Sequence, residues 1–206
     1  MKAVIINKFG DLGGSIIKTG LDIPRPGKNE VLIKVRAAGV NRPDILQRLG
    51  LYKVPNGASP IMGLEVAGEI VETGEGVVEK KLGESVCALV PGGGYAEYVV
   101  TNKTHCLPVP EGFSMEEAAG LCECLFTVWI NMVKLGQLKE KETFLVHGGS
   151  SGIGMFAIQL AKQLGAKVLT TVKNKEKLDF CYSLGADEVI QYPKKDFHKI
   201  FKSNNE

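Results

Sequence analysis

The chain has 206 residues, with 25 Lys and Arg against 23 Asp and Glu, so its formal net charge is only +2. Hydrophobic residues make up 44% and charged residues 23%, a composition typical of folded globular proteins and unlike that of disordered chains. This balance excludes a strong general attraction to nucleic acid or to an anionic membrane, and we expect neither as a partner.

The cysteine pattern and the N-terminal sequence both bear on the cellular location of the protein. The five cysteines contain no paired CxxC motif, so they favour neither a disulfide framework nor a structural zinc site. The N-terminal apolar run is too short for a signal peptide, and we count no stretch that approaches the roughly 18 apolar residues of a membrane span. We therefore expect a cytoplasmic protein in a reducing environment.

The first 110 residues are short β-type runs separated by turns rich in Gly and Pro. Examples are residues 2–7, 30–37, 64–73 and 85–90. This spacing predicts a small, partly open barrel or sandwich. Ser114 and Glu117 then form a capping-box pattern that opens a helix through residue 121, and a second helix is predicted over about 125–134.

The C-terminal third alternates strand and helix patterns. Strands are predicted at 143–147, 166–172 and 187–192, and helices at 155–164 and 175–184, with Gly185 just past the second helix. Such alternation predicts a parallel sheet with right-handed crossovers, the outline of a nucleotide-binding βαβαβ unit. The tail over 193–206 is basic, then polar, and we assign it no strand.

A glycine-rich segment, HGGSSGIG, joins the first of these strands to its helix. Gly152 and Gly154 stand where a side chain would block a phosphate or the packing of helix on strand. Ser151 occupies the place of the middle glycine of a GxGxxG motif. The segment favours a diphosphate site at the helix N-terminus, and a simple tight turn is the alternative.

The end of the second strand bears on the choice of cofactor. NAD-specific folds place a carboxylate there to bind the ribose, but this sequence has none before Glu176. Lys173, Lys175 and Lys177 cluster at this point instead. They favour a 2′-phosphate and hence NADPH, with ordinary surface lysines at a solvated helix start as the alternative.

Several motifs carry a resemblance to a known family. The segments AAGVNRPDILQRLGLY, PNGASPIMGLEVAGEI, GGGYAEYV and HGGSSGIGMFAIQLAK, with their spacing to LGADEVIQY, resemble quinone oxidoreductases of the zeta-crystallin type. These belong to the medium-chain dehydrogenase/reductase superfamily, and the sequence is most similar to the branch that includes a tumour-suppressor-induced quinone reductase. The resemblance runs from residue 1 to about residue 197.

The resemblance implies an α/β protein of two domains. A GroES-like β-barrel domain is expected over residues 1–120, and an incomplete, first-half Rossmann domain that binds NADPH over 121–206. The implied activity is NADPH-dependent hydride transfer to a quinone or another conjugated carbonyl compound. An enoyl-thioester reductase shares the fold and the glycine loop and stays open as an alternative.

The resemblance also implies that zinc takes no part. Zinc-dependent relatives have Cys at the position of Asn41 and His at the position of Leu64, which leaves only Glu65 of their ligand set. The cysteine-rich loop that holds their structural zinc has no counterpart. We therefore predict hydride transfer that depends on orientation and hydrogen bonding.

Individual roles follow from the same resemblance. Asn41 is expected beside the nicotinamide carboxamide, Tyr52 in the substrate cleft and Thr127 at the nicotinamide ribose. Asn41 and Tyr52 are thus the predicted catalytic residues. Asn41 also suits the cap of a helix entered at Pro43, and Tyr52 could be a loop anchor.

Lys177 and Tyr192 match positions that bind the adenosine 2′-phosphate in the family. Two positions depart from the family pattern: Lys173 replaces a usual glycine, and Cys122 replaces a common proline. His105 and His147 are predicted to be structural. The predicted cofactor-binding residues are Asn41, Thr127, Ser150, Ser151, Gly152, Ile153, Gly154, Asn174, Lys177 and Tyr192.

A doubly wound dinucleotide fold has two mononucleotide halves, and this sequence supplies the first, with about three strands. The strands around the nicotinamide, the edge of the usual family homodimer and a return segment of the barrel are expected to be missing. An alternative hypothesis is therefore a catalytically weak remnant that binds a nucleotide or associates with a full-length relative.

Overall fold

The computed structural model describes residues 1–192 and divides the chain into two compact units. The first, called the β-rich unit, comprises Met1–Glu123, and the second, called the α/β unit, begins at Cys124. The tail over 193–206, to which the sequence assigns no strand, lies outside the described residues. The final five positions of the resemblance to quinone oxidoreductases, residues 193–197, lie there as well.

The β-rich unit contains seven strands among its described residues. They are β1 (Ala3–Ile6), β2 (Ser15–Lys18), β3 (Glu30–Ala38), β4 (Glu65–Thr73), β5 (Ser85–Leu89), β6 (Tyr98–Asn102) and β7 (Cys106–Pro108). The four predicted runs coincide with β1, β3, β4 and β5. Helix α1 (Arg42–Arg48) follows β3, helix α2 (Met115–Ala118) follows β7, and helix α3 (Cys122–Val128) begins at the end of the unit.

The strands form an open antiparallel sheet. Five of them pair in the order β6-β3-β4-β5-β7, and β1 pairs with β2 as a separate ribbon. Because β6 and β7 are the two ends of that order, the sheet is open, in keeping with the predicted partly open barrel or sandwich. Alternate residues of the central strands, among them Val31, Ile33, Val66 and Ile70, form a core from which water is excluded.

The segment after β7 departs from the prediction. The capping box is present, since Ser114 Oγ accepts from Glu117 N (3.2 Å) and Glu117 Oε2 accepts from Ser114 N (2.8 Å). However, α2 ends at Ala118, a turn covers 119–121, and α3 begins earlier than expected. A π-helical stretch, Trp129–Leu135, continues from α3.

Our expectation that no segment is long and apolar enough for a membrane span is wrong. The run Met115–Leu135 passes by length and composition, because it contains an 18-residue window with a mean hydropathy of 1.4. It was missed because Glu116, Glu117 and Glu123 interrupt the apolar residues. Core helices of soluble proteins pass the same test, so this run is weak evidence for a membrane.

The α/β unit has the predicted alternation. Its elements are β8 (Thr143–His147), α4 (Gly152–Gln163), β9 (Lys167–Val172), α5 (Lys175–Ser183) and β10 (Glu188–Gln191). The strands are parallel in the order β10-β9-β8. Apolar residues of α4 and β9, including Ile158, Ala161 and Val168, form the core between helix and sheet. The three strands therefore end at one edge, where the loops that follow them meet.

Candidate functional site

The loop between β8 and α4 opens the helix with its backbone exposed toward that edge. Ser151 is the N-cap of α4, and its Oγ accepts a hydrogen bond from Gly154 N (3.0 Å). Ser151 N in turn donates to Gly148 O (2.9 Å). The N–H groups of Gly152 and Ile153 remain as first-turn donors, which is where a helix binds a phosphate.

Glycine is required in this loop by close packing. A Cβ on Gly154 would lie 2.4 Å from Gly148 O, and one on Gly149 would lie 2.3 Å from Thr170 Oγ1. At Gly152 the nearest atom would be Cys124 Sγ at 3.1 Å, the end of a side chain. The structure therefore assigns the packing role to Gly149 and Gly154 and leaves Gly152 beside the open helix end.

The predicted 2′-phosphate residues meet at the ends of β9 and β10. Asn174 is the N-cap of α5, and its Oδ1 accepts from Lys177 N (3.0 Å). Tyr192 N donates to Val172 O (3.0 Å), which holds Tyr192 against the last residue of β9. Lys173, Lys177 and Tyr192 are exposed there. The structure thus brings Asn174, Lys177 and Tyr192 to one polar surface.

Two further predicted cofactor residues share a small cavity inside the α/β unit. Thr127 and Ile153 line a space of about 240 Å³, and the other residues around it are mostly apolar. They are Val128, Asn131, Met132, Phe144, Val146 and Ala157. Asn131 belongs to the π-helical stretch, and its Nδ2 donates to Thr127 O (2.8 Å). π-Helical turns are frequent at functional sites.

In the β-rich unit, Asn41 belongs to a set of polar residues that we call the carboxylate network, formed by Asn41, Asp44, Glu65, Tyr95 and Glu123. Asn41 stands at the N-cap position of α1, and its Nδ2 donates to Glu65 Oε1 (2.7 Å). Glu65 is only 2% exposed, and its Oε2 accepts from Glu123 N (2.9 Å). Asn41 therefore marks the start of a helix, as the alternative reading held, and its amide also binds a buried carboxylate.

Asp44 is the second buried carboxylate of the network, at 2% exposure. Its Oδ2 accepts from Asn41 N (2.8 Å) and from the hydroxyl of Tyr95 (3.0 Å), and its Oδ1 accepts from Gly63 N (3.1 Å). Burial, with the nearby charge of Asp44, raises the pKa of Tyr95 well above its usual range. The Tyr95 hydroxyl is therefore a proton donor at every physiological pH.

Glu123 ends the β-rich unit and lies half-buried in the first turn of α3. Desolvation raises its pKa above the usual value, and the charges of Glu65 and Asp44 raise it further. Three carboxyl groups thus share one region of the unit. Sequence reasoning singled out Glu65 alone among them, although the spacing of Asn41 and Asp44 is that of a capping box.

Tyr52 lies elsewhere in the β-rich unit. It lines an apolar cavity of about 700 Å³, together with Ile5, Ile6, Phe9, Gln47, Gly50, Leu51, Lys53, Val54, Pro60 and Ile61. Asn41 is not among the lining residues. The two predicted catalytic residues therefore occupy separate places, Asn41 in the carboxylate network and Tyr52 beside a space of ligand size.

The residues at the expected zinc position do not suit that metal. Leu64 has no ligand atom, the Asn41 amide already donates to Glu65, and both Glu65 oxygens accept hydrogen bonds. Within residues 1–192 no three His, Cys, Asp or Glu side chains are grouped so that they could hold a metal ion. The described residues at this position therefore do not fit a zinc ion.

Both histidines of interest contact threonines of neighbouring strands. His147 Nδ1 lies 3.2 Å from Thr171 Oγ1, and His105 Nδ1 lies 3.4 Å from Thr101 Oγ1. Both threonines are buried. These contacts support the structural roles predicted for His105 and His147.

Two family models match the chain. Residues 27–111 match the alcohol dehydrogenase GroES-like domain, and residues 152–204 match the zinc-binding dehydrogenase domain. The chain is 33% identical to a quinone oxidoreductase of Sus scrofa over 100% of its own length and 63% of the relative. It is also 30% identical to a mycocerosic acid synthase-like polyketide synthase of Mycobacterium tuberculosis, over 80% of the chain.

A solved structure of the CurK enoyl reductase superposes with a TM-score of 0.88 at 27% identity, covering 99% of this chain and 64% of that one. The chain thus spans less than two thirds of the quinone oxidoreductase and of the enoyl reductase, and 8% of the polyketide synthase. These likenesses confirm the predicted fold class, a GroES-like domain joined to a Rossmann-like parallel sheet.

Proposed function

The chain belongs to the medium-chain dehydrogenase/reductase superfamily, and we propose that it is an oxidoreductase that uses NADPH to reduce a quinone or another conjugated carbonyl compound without zinc. The superfamily comprises nicotinamide-dinucleotide-dependent dehydrogenases. A bound nicotinamide supplies a hydride for such a reaction.

The surface at the ends of β9 and β10 supports the proposal that NADPH, and not NADH, is the cofactor. Asn174 fixes the first turn of α5, and Lys177 and Tyr192 lie exposed beside it. Lys177 supplies a positive charge and no carboxylate precedes Glu176, so a 2′-phosphate gains a charge-assisted contact that a ribose hydroxyl does not. The open donors of Gly152 and Ile153 suit the diphosphate.

Tyr52 and its cavity support an apolar acceptor. The lining is mostly aliphatic and aromatic, with few polar groups to orient a ligand, which suits an uncharged conjugated ring or chain. The likeness to a quinone oxidoreductase favours a quinone as the electron acceptor. Because Asn41 and Leu64 offer no zinc ligand, we assign the positioning of the reactants to hydrogen bonds and packing.

An enoyl-thioester reductase is the second candidate, because the similar CurK structure is named an enoyl reductase. NADPH oxidation measured with a quinone and with an enoyl thioester separates the two. We expect faster turnover per chain with the quinone. Turnover with the enoyl thioester alone would transfer the proposal to the second candidate.

Cofactor choice is tested by a lysine substitution. Lys177→Ala should weaken NADPH binding by roughly tenfold to a hundredfold and leave NADH nearly unchanged, since a charge-assisted contact contributes about 1.5 to 3 kcal/mol. Isothermal titration of each cofactor measures this. Lys167→Ala is the matched control, because Lys167 is exposed at the opposite end of β9. Equal affinities of the parent chain for NADPH and NADH would contradict the assignment.

A further inference from the structure

Two cysteines lie buried on the same side of the sheet in the β-rich unit. Cys87 on β5 pairs with Ala67 of β4, two positions along from Glu65, so Cys87 and Glu65 face the same side. Glu65 Oε2 accepts from Glu123 N (2.9 Å), which places the start of α3 on that side as well. Cys122 is the first residue of α3 and directly precedes Glu123. Both cysteines are 1% exposed, so β5 and the start of α3 enclose them together.

The two thiols also interact with each other. A hydrogen bond between the side chains of Cys87 and Cys122 lowers the pKa of Cys87, and this effect outweighs the opposing effect of burial. The same hydrogen bond, with burial, raises the pKa of Cys122 above its usual range. The pair therefore loses its first proton from Cys87, and the Cys122 thiol stabilises the thiolate that is formed.

We propose that Cys87 and Cys122 are an oxidisable pair, which hydrogen peroxide converts to a disulfide that ties β5 to the start of α3. Cys122 stands where the quinone oxidoreductases that the sequence resembles commonly have a proline, so the pair is not a general feature of that family. The disulfide would fix the residue before Glu123, and with it the backbone N–H that Glu65 binds. Oxidation of the pair thus acts on the carboxylate network.

A small, uncharged oxidant suits a buried pair, and the reaction balances with one molecule of hydrogen peroxide. The Cys87 thiolate attacks one peroxide oxygen, the O–O bond breaks, and Cys87 becomes a sulfenic acid while the other oxygen leaves as hydroxide. The Cys122 sulfur then attacks the Cys87 sulfur, so the S–S bond forms and the S–O bond breaks. The two departing hydroxides take up the two thiol protons. The sulfurs lose two electrons to the peroxide, and two water molecules are formed.

Thiol counting on the full chain tests the proposal. The folded chain is incubated with hydrogen peroxide, catalase removes the excess, and the chain is then unfolded and alkylated with iodoacetamide. We expect two of the five thiols to escape alkylation, and a peptide map to join residue 87 to residue 122. Dithiothreitol should restore both thiols, since it reduces a disulfide. Alkylation of both Cys87 and Cys122 after peroxide treatment, or a cross-link that joins either to another cysteine, would overturn the proposal.

Serine variants distinguish the two sulfurs. In Cys122→Ser the hydroxyl can still donate to Cys87 but cannot form a disulfide, so Cys87 should stop at the sulfenic acid and gain a dimedone adduct once the chain is unfolded. Cys87→Ser removes the more acidic thiol, so Cys122 should gain no adduct. Cys106→Ser is the matched control, because Cys106 is also buried in this unit but pairs with Ala88 and faces the other side of the sheet. It should form the disulfide as fast as the parent.

Hydrogen exchange tests the effect on the carboxylate network. The Glu123 amide should exchange more slowly in the oxidised chain than in the reduced one, and dithiothreitol should reverse the change. Equal exchange in both states would mean that the disulfide leaves this N–H as it was, and the link to Glu65 would be overturned. The peptide map of the parent decides the cross-link even if a serine variant fails to fold. Neither measurement requires a nicotinamide cofactor, so the result is independent of the proposed function.

Discussion

In the α/β unit the helix-capping side chains of the candidate site contact residues close to them in the chain, whereas most contacts of the carboxylate network in the β-rich unit join residues far apart in the chain. Ser151 bonds to Gly154 and Asn174 to Lys177, each across three positions. In the carboxylate network the separations are 24, 51 and 58 positions, for Asn41 with Glu65, Asp44 with Tyr95, and Glu65 with Glu123.

The difference in sequence separation shows that local sequence determines the helix N-terminus of the α/β unit, whereas tertiary structure determines the carboxylate network. A helix N-terminus binds a phosphate through its backbone, so a short loop with the right turn is sufficient. The carboxylate network requires the tertiary fold of the β-rich unit, because the start of α1, β4, the loop before β6 and the start of α3 supply its members. We therefore expect substitutions at the start of α4 to lower stability through steric clashes with the backbone. Substitutions in the carboxylate network should lower stability by leaving buried polar groups unpaired.

The largest effect is expected at the packed glycine of the loop. In Gly154→Ala the new Cβ would lie 2.4 Å from Gly148 O and 2.6 Å from Gly149 Cα, both backbone atoms with little freedom to move. We expect the α/β unit to lose about 3 kcal/mol of unfolding free energy. Urea unfolding followed by the fluorescence of Trp129, the only tryptophan, measures it.

Gly152→Ala is the control for that change. Its Cβ would approach only Cys124 Sγ at 3.1 Å, and alanine is favoured over glycine inside a helix by about 1 kcal/mol. We expect its unfolding free energy to stay within about 1 kcal/mol of the parent. Equal losses in the two variants would contradict the assignment of the packing role to Gly154.

The long-range site should be most sensitive at Asp44. Asp44→Asn replaces one accepting oxygen with a donor, so a backbone donor, either Asn41 N or Gly63 N, is left facing an N–H group, whereas the Tyr95 hydroxyl can donate to Gly39 O (3.2 Å) instead. An unpaired buried donor costs about 2 kcal/mol. Hydrogen exchange of the β4 amides Val66 and Ile70 reports the stability of this unit.

Tyr95→Phe tests how much the hydroxyl of Tyr95 contributes apart from the carboxylate of Asp44. It removes the hydroxyl but leaves both backbone donors on the carboxylate, so we expect a smaller loss of about 1 kcal/mol. A loss from Tyr95→Phe as large as that from Asp44→Asn would mean that the hydroxyl, and not the carboxylate, holds the network together.

The contrast between local and long-range contacts also explains which features could be predicted from the sequence. Strand and helix patterns correctly predict the parallel sheet, because each element carries its own periodicity and its own cap, as Asn174 does for α5. The positions of Ser151 and Asn174 as helix N-caps, and of Gly154 and Lys177 in the first turns of α4 and α5, follow from that order alone. Element ends were less predictable: the turn at 119–121 ends α2 early, and the helix expected near residue 125 begins at Cys122.

The carboxylate network could not be predicted in the same way. The local pair Asn41 and Asp44 fits a capping box, but neither Tyr95 nor Glu123 has a sequence feature that links it to them. Their proximity depends on the register of β4 with its neighbours, which brings Glu65 beneath Gly39 and beside Asn41. Likewise, the resemblance gave both Asn41 and Tyr52 catalytic roles, yet within the β-rich unit Tyr52 lines a cavity that Asn41 does not.

The smallest effect is expected for a substitution of Glu123, which should increase the stability of the β-rich unit. Its pKa is raised above the ordinary value of 4.5, mainly by desolvation and further by Glu65 and Asp44. A raised pKa in the folded state means that the stabilising, protonated form is fully populated below pH 4.5. That contribution is lost as the pH rises through the folded pKa. At pH 7 the charged Glu123 therefore destabilises the β-rich unit.

Glu123→Gln removes that charge and keeps the backbone N–H that donates to Glu65. We expect it to raise the unfolding free energy at pH 7 by less than about 1 kcal/mol, because a half-buried group is partly screened by solvent. The gain over the parent should disappear near pH 4, where both chains are neutral at this position. Glu116→Gln, on the exposed side of α2, should change nothing at either pH. A loss of stability in Glu123→Gln at pH 7 would mean that the charged side chain has a favourable partner that outweighs its repulsion by Glu65 and Asp44.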